Sequence, residues 1–146
     1  MKIEVDGATA ATATIFVCTT CRRKREDVPE GFDLPGTDLV KALEGEIERT
    51  AAAGLTVTPV ECLAVCKRPC TVALVGPGKW TYLVGDLETE AHTGEIVSAA
   101  LAFARSETGI VPWKERPQSF RRGVVARIPP LGFVSFPPDP PKPETT

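Results

Sequence analysis

The sequence predicts an α/β sandwich, two helices laid on one sheet in the order β-α-β-β-β-α, with a basic, proline-rich C-terminal extension. Three observations carry that expectation. Short runs rich in β-branched and aromatic residues recur at 13–17, 55–60, 71–75 and 80–84. Two longer stretches repeat apolar residues near the helical period, one after the first run and one after the last. Glycine and proline punctuate the joints between them. A chain alternating this way builds a layered α/β domain.

In order, residues 1–11 are polar and rich in small side chains, and are expected to be a flexible lead-in. Ala13-Thr14-Ile15-Phe16-Val17 then reads as the first strand and ends at Cys18. Arg22-Arg23-Lys24-Arg25 follows, with Pro29, Gly31, Pro35 and Gly36 marking a loop. Thr37 is the expected N-cap of the first helix, whose apolar stripe is Leu39, Val40, Leu43 and Ile47, and Gly54 its expected stop. Leu55 to Val60 alternates as the second strand, and Pro59 places it at an edge or a bulge. Thr71–Val75 and Trp80–Val84 form a hairpin across Gly76-Pro77-Gly78. Asp86 or Thr89 opens the second helix, with Ile96, Val97, Ala100, Leu101 and Phe103 as its apolar stripe and a stop near Thr108-Gly109. The domain is thus expected over 12–109, a basic extension over 110–136, and a disordered proline-rich tail over 137–146.

Composition bounds the function. At 146 residues, 42% hydrophobic and 25% charged, the chain is an ordinary globular one with room for a core. A net charge of −2 excludes a globally basic nucleic-acid binder. No leader-like start and no stretch of eighteen apolar residues is present. A cytoplasmic protein with no membrane contact is therefore expected. There is no Ser-His-Asp set, phosphate loop or GxGxxG, and nothing points to a substrate pocket. The lone histidine, His92, falls at a helix start away from any cysteine and reads as a surface residue. Trp80, Tyr82 and Trp113 read as packing residues.

The chemistry lies in five cysteines gathered in two clusters, Cys18-x2-Cys21 and Cys62-x3-Cys66-x3-Cys70, each at the edge of an expected strand. An odd, clustered set argues for metal or redox chemistry rather than a disulfide framework. Three readings stand at this point. Four thiolates on strand-end loops suit a 2Fe–2S cluster, which takes two per iron and N–H bonds to its sulfurs. They also suit zinc, for which C-x2-C is the usual half-site. A strand running into C-x2-C and basic residues is, thirdly, the pattern of a thiol–disulfide oxidoreductase, although it leaves three thiols unused.

The second cluster resembles that of the thioredoxin-like 2Fe–2S ferredoxins, a group that includes a ferredoxin-like subunit of NADH dehydrogenase. Their Cys-x3-Cys, followed by a proline and a hairpin, is matched by Glu61-Cys62-Leu63-Ala64-Val65-Cys66, Pro69 and Thr71–Val75. Their aromatic after the hairpin turn is matched by Trp80 and Tyr82. The first pair is spaced more closely here than in those ferredoxins, and Cys70 has no regular counterpart among them. The whole pattern also resembles a bacterial family of predicted metal-binding proteins of unassigned function. The shared features are CxxCR, the C-x3-C-x3-C ending in Arg68-Pro69-Cys70, Trp113, Arg116-Pro117 and Arg127-Ile128-Pro129-Pro130.

The resemblance implies a thioredoxin-like fold and a 2Fe–2S cluster on Cys18, Cys21, Cys62 and Cys66, with Cys70 as the alternate ligand. It implies a non-catalytic carrier of single electrons rather than an enzyme, and zinc or another soft metal, structural or in transit, is the alternative. Two ferric ions, two sulfides and four thiolates sum to −2, so nearby cations would stabilise the centre. Arg22, Arg23, Lys24, Arg25, Lys67 and Arg68 flank the cysteines. They are the expected docking patch for an acidic redox protein, and a homodimer is left open.

Overall fold

The computed structural model describes residues 12–134. The expected lead-in and proline-rich tail lie outside the described residues. Five strands form one sheet in the order β4-β1-β5-β6-β7. They are β1 (Ala13–Cys18), β4 (Leu55–Val60), β5 (Val72–Val75), β6 (Thr81–Val84) and β7 (Val124–Ile128). β1 pairs in parallel with β4, and the crossover that a parallel pair requires is helix α1 (Pro35–Thr50). The remaining pairings are antiparallel. Helix α2 (Thr89–Arg105) packs beside α1 and against β1. This is the thioredoxin-like α/β architecture that the sequence predicts.

Alternation along β1 explains the layer. Ala13, Ile15 and Val17 are buried while Thr14 and Phe16 are only half-buried. Ile15 lies opposite Leu74, and Leu74 opposite Tyr82, so one face of the sheet carries a continuous apolar row. Leu39 and Leu43 of α1 and Ile96, Ala100 and Phe103 of α2 close over it, all fully buried. Phe103 meets the Tyr82 ring edge-on at 6.1 Å. Burying a side chain of this size contributes about 1.5–3 kcal/mol, so this contact anchors α2. Val111 N–H donates to Tyr82 Oη at 3.0 Å, which satisfies the one polar atom of that buried ring.

Several local expectations are corrected. α1 starts before Thr37, with Leu34 as N-cap and Pro35 at the first helical position, where a missing N–H costs nothing. It ends at Thr50 rather than Gly54, because Ala51 takes the left-handed cap at φ 54°. α2 likewise ends at Arg105. Within the expected loop Phe32–Asp33 is a two-residue strand, β3, paired with β2 (Arg23–Lys24) in the basic run before it. Beyond residue 110 the chain makes a 3₁₀ turn at Trp113–Glu115 and a short helix α3 (Ser119–Arg122) before β7. β7 was not expected. Its five residues alternate weakly and run into two prolines, and the open edge of β6 is what places them.

Candidate metal centre

The register of the sheet assembles the site. Cys18 ends β1 opposite Val60, the last residue of the parallel β4. The loops leaving both strands therefore emerge at the same end. β5 enters from that end too, with Val72 opposite Val17 and Cys18 N–H donating to Thr71 O at 3.0 Å. All five cysteines sit in or beside these loops.

The first pair is preformed. Cys18 and Cys21 are buried, with their sulfurs 3.1 Å apart. Gly36, in the first turn of α1, packs on the same backbone: a Cβ there would lie 2.0 Å from Cys18 O and 2.8 Å from Thr19 Cα. Only glycine permits that approach. Thr19 ties the two loops together, its N–H and its hydroxyl donating to Val60 O at 2.9 and 3.0 Å. The Thr20 hydroxyl donates to Glu61 O. The Thr19-Thr20 step inside the C-x2-C is the one local sequence signal for this clasp.

Electrostatics divide the buried thiols. Burial acts to raise the Cys18 thiol, but hydrogen bonds from the Cys21 thiol and from the Leu63, Thr20 and Cys21 amides outweigh it and leave it below its ordinary value. Burial, reinforced by the hydrogen bond and charge of Cys18, pushes Cys21 up to about 12. Cys70 is also buried, and burial pushes it up to about 11, with the charge of Cys18 adding to the rise.

The second pair differs. Cys62 and Cys66 are exposed on the loop, although the Ala64 amide donates to Cys62 Sγ at 3.2 Å. Among the described residues no three Cys, His, Asp or Glu side chains converge on one metal position. The donor set nevertheless suits a thiolate-bound metal: soft sulfurs on facing loops, with backbone N–H groups directed at Cys18 and Cys62.

The basic residues are not equivalent either. Asp33 binds Arg23 at 3.0 Å and Arg25 at 3.2 Å, and Arg25 also pairs with Asp27. Arg22 lies 4.4 Å above the Phe32 ring. Arg68 pairs with Asp86 at 2.7 Å and donates to Arg122 O at 3.3 Å. Lys24 and Lys67 are exposed. His92 is half-buried, its Nδ1 accepting from Glu88 N–H at 3.0 Å on the first turn of α2.

The fold is a thioredoxin-like α/β fold with its cysteines gathered at one end of the sheet. A solved structure of a thioredoxin-like 2Fe–2S ferredoxin from Aquifex aeolicus is similar with a TM-score of 0.55 at 19% identity, over 86% of this chain and 100% of that one. A second structure, of the wild-type ferredoxin, gives 0.52 at 20% identity over 80% and 99%. A family model described as "Protein of unknown function (DUF1636)" matches residues 15–130, and the chain belongs to that family. No curated protein matches it. No helix of the described residues is long and apolar enough to cross a membrane.

Proposed function

We propose that the protein is a 2Fe–2S electron carrier, with Cys18 and Cys21 holding one iron and Cys62 and Cys66 the other. The observation that carries this is the register placing both cysteine loops at one end of the sheet, clasped by Thr19 and Thr20. A 2Fe–2S cluster supplies reversible one-electron chemistry when bound. The chain's own part is to hold the first thiol pair out of water and to offer amide N–H groups to the sulfurs. The second pair would complete the ligand set from a loop whose flanks are held beside the first pair, by Thr19 at Val60 and by Cys18 at Thr71. Cys70, buried beside the first pair, is the alternate ligand.

The second reading, a zinc or soft-metal thiolate protein, draws on the close Cys18–Cys21 pair, which is a zinc half-site. Anaerobic purification with iron, sulfide and zinc analysis separates the two. About two irons and two sulfides per chain are expected, with a rhombic electron paramagnetic resonance signal on reduction. Cys62→Ala and Cys66→Ala are each expected to bleach the visible absorption. Colourless protein with one zinc per chain would replace the iron reading, and colour surviving both substitutions would overturn the ligand assignment.

A further inference from the structure

The 3₁₀ turn and α3 display an exposed aromatic braced by cations. Trp113 is 58% exposed. The Arg116 guanidinium lies 5.6 Å from its ring centroid and 5.4 Å from that of Tyr82. Arg121 stands 5.9 Å from the Trp113 centroid, while its Nε donates to Trp113 O at 3.1 Å and its Nη2 to Lys114 O at 3.2 Å. An indole fixed this way loses little further freedom on binding, and tryptophan and arginine are the residue types that dominate binding energy at protein interfaces.

Charge selects the partner. From Trp113 to Arg127 the chain carries Lys114, Arg116, Arg121, Arg122 and Arg127 against the single carboxylate Glu115, in a protein of net charge −2. Among the described residues none of these five cations makes an ion pair, whereas Arg23, Arg25, Arg49 and Arg68 all do. The patch is continuous with the candidate metal centre: Arg68, between Cys66 and Cys70, donates to Arg122 O. On the other side Arg122 borders a cavity of about 400 Å³ that Asp86 and Glu95 also line. A protein of net charge −2 repels a long polyanion as a whole, whereas a compact acidic patch on a protein meets chiefly the local cations.

We infer that the Trp113 face, with Lys114, Arg121 and Arg122, is the docking surface for an acidic protein partner. This rests on the electron-carrier reading only for the partner being a redox protein; the docking itself requires no cluster. It moves the docking site away from Arg23 and Arg25, whose charges Asp33 and Asp27 already satisfy.

The test is fluorescence anisotropy of a labelled synthetic peptide of Glu, Asp and Leu, titrated with the full-length protein. Saturable binding at low ionic strength is expected, lost by about 0.3 M salt as screening shortens the reach of the charges. Trp113→Ala should weaken it about tenfold, and Lys114→Glu and Arg122→Glu about fivefold each. Neither the Lys114 nor the Arg122 side chain makes a hydrogen bond among the described residues, so both variants should fold, as circular dichroism would check. Lys41→Glu, on α1, should change nothing. Absence of binding, or binding indifferent to all three substitutions, overturns the proposal. So does tighter binding of a labelled single-stranded oligonucleotide with the same sensitivity, which would make the face a nucleic-acid site. Iron analysis of the same preparations keeps the two readings apart. Peptide binding by an iron-free chain sustains the docking face alone, and iron-loaded protein that ignores the peptide removes the docking face alone.

Discussion

The two cysteine pairs are built in opposite ways. Cys18 and Cys21 lie at the sealed end of a central strand, held by backbone pairing, by the close approach of Gly36 and by neighbouring amides. Cys62 and Cys66 lie outside, exposed on a loop that is tied instead through Glu61 to Thr20, Arg68 to Asp86 and Cys70 to Leu87. The core holds the first pair rigid, since strand β1, paired on both sides by β4 and β5, cannot move without breaking the sheet. The two thiols of the second pair are exposed, so turning them costs little packing. The site thus has one preformed, buried wall and one exposed wall.

Three measurements break or sharpen that contrast. The largest effect is expected from Gly36→Ala, which drives a methyl into the Cys18–Thr19 backbone, where nothing flexible can yield. Overpacking of this kind costs about 3 kcal/mol, or roughly 10 °C in thermal midpoint for a domain of this size. Scanning calorimetry that finds the variant as stable as the parent would show that the first wall is not rigid. Next, in metal-free protein, Cys62 and Cys66 should be alkylated by iodoacetamide at least about 100-fold faster than Cys18, Cys21 and Cys70. Reaction at a buried thiol waits on an opening that costs about 3 kcal/mol. Mass spectrometry of the labelled peptides gives the ratio, and equal rates would erase the distinction between the pairs.

The smallest effect concerns acid. Burial acts to raise the Asp33 carboxyl, but Arg23 and Arg25 outweigh it and hold it below the usual carboxylate range. A depressed folded value stabilises the protein above the unfolded carboxyl pKa of about 4, and that contribution is lost as pH falls through the folded value. The β2–β3 ribbon behind Cys21 should therefore loosen below about pH 4, by about 0.5 kcal/mol because the ion pairs are partly exposed. Asp33→Asn should flatten that limb of the stability–pH curve. Amide exchange localises the change: loosening of residues 22–33 without the 61–70 loop is the expected pattern, and loosening of both together would contradict it.

Much of this was legible in the chain. Helical stripes at Leu39/Leu43 and Ile96/Phe103, and the strands ending at Cys18 and Val60, follow from periodicities of 3.6 and 2 that burial on one face imposes. Pro59 indicates an edge or a bulge, and β4 is an edge strand. The clustering of the cysteines was equally plain. Less legible were elements defined by distant partners. β2 and β3 are too short to carry a pattern, and β7 exists because β6 has an edge to fill. Gly36 read as a loop glycine, since nothing local says that Cys18 lies against it.

Local periodicity and residue chemistry set the main strands and helices along the chain, their apolar faces and the two thiol-bearing loops. Tertiary structure decided which thiols are shielded and which cations are spent. Cys18 and Cys66 look alike in the chain, and so do Arg23 and Arg122. Burial and ion pairing separate them, and both are set by residues elsewhere in the chain: Thr71 and Val60 around Cys18, and Asp33, ten positions on, which pairs with Arg23, whereas Arg122 makes no ion pair among the described residues.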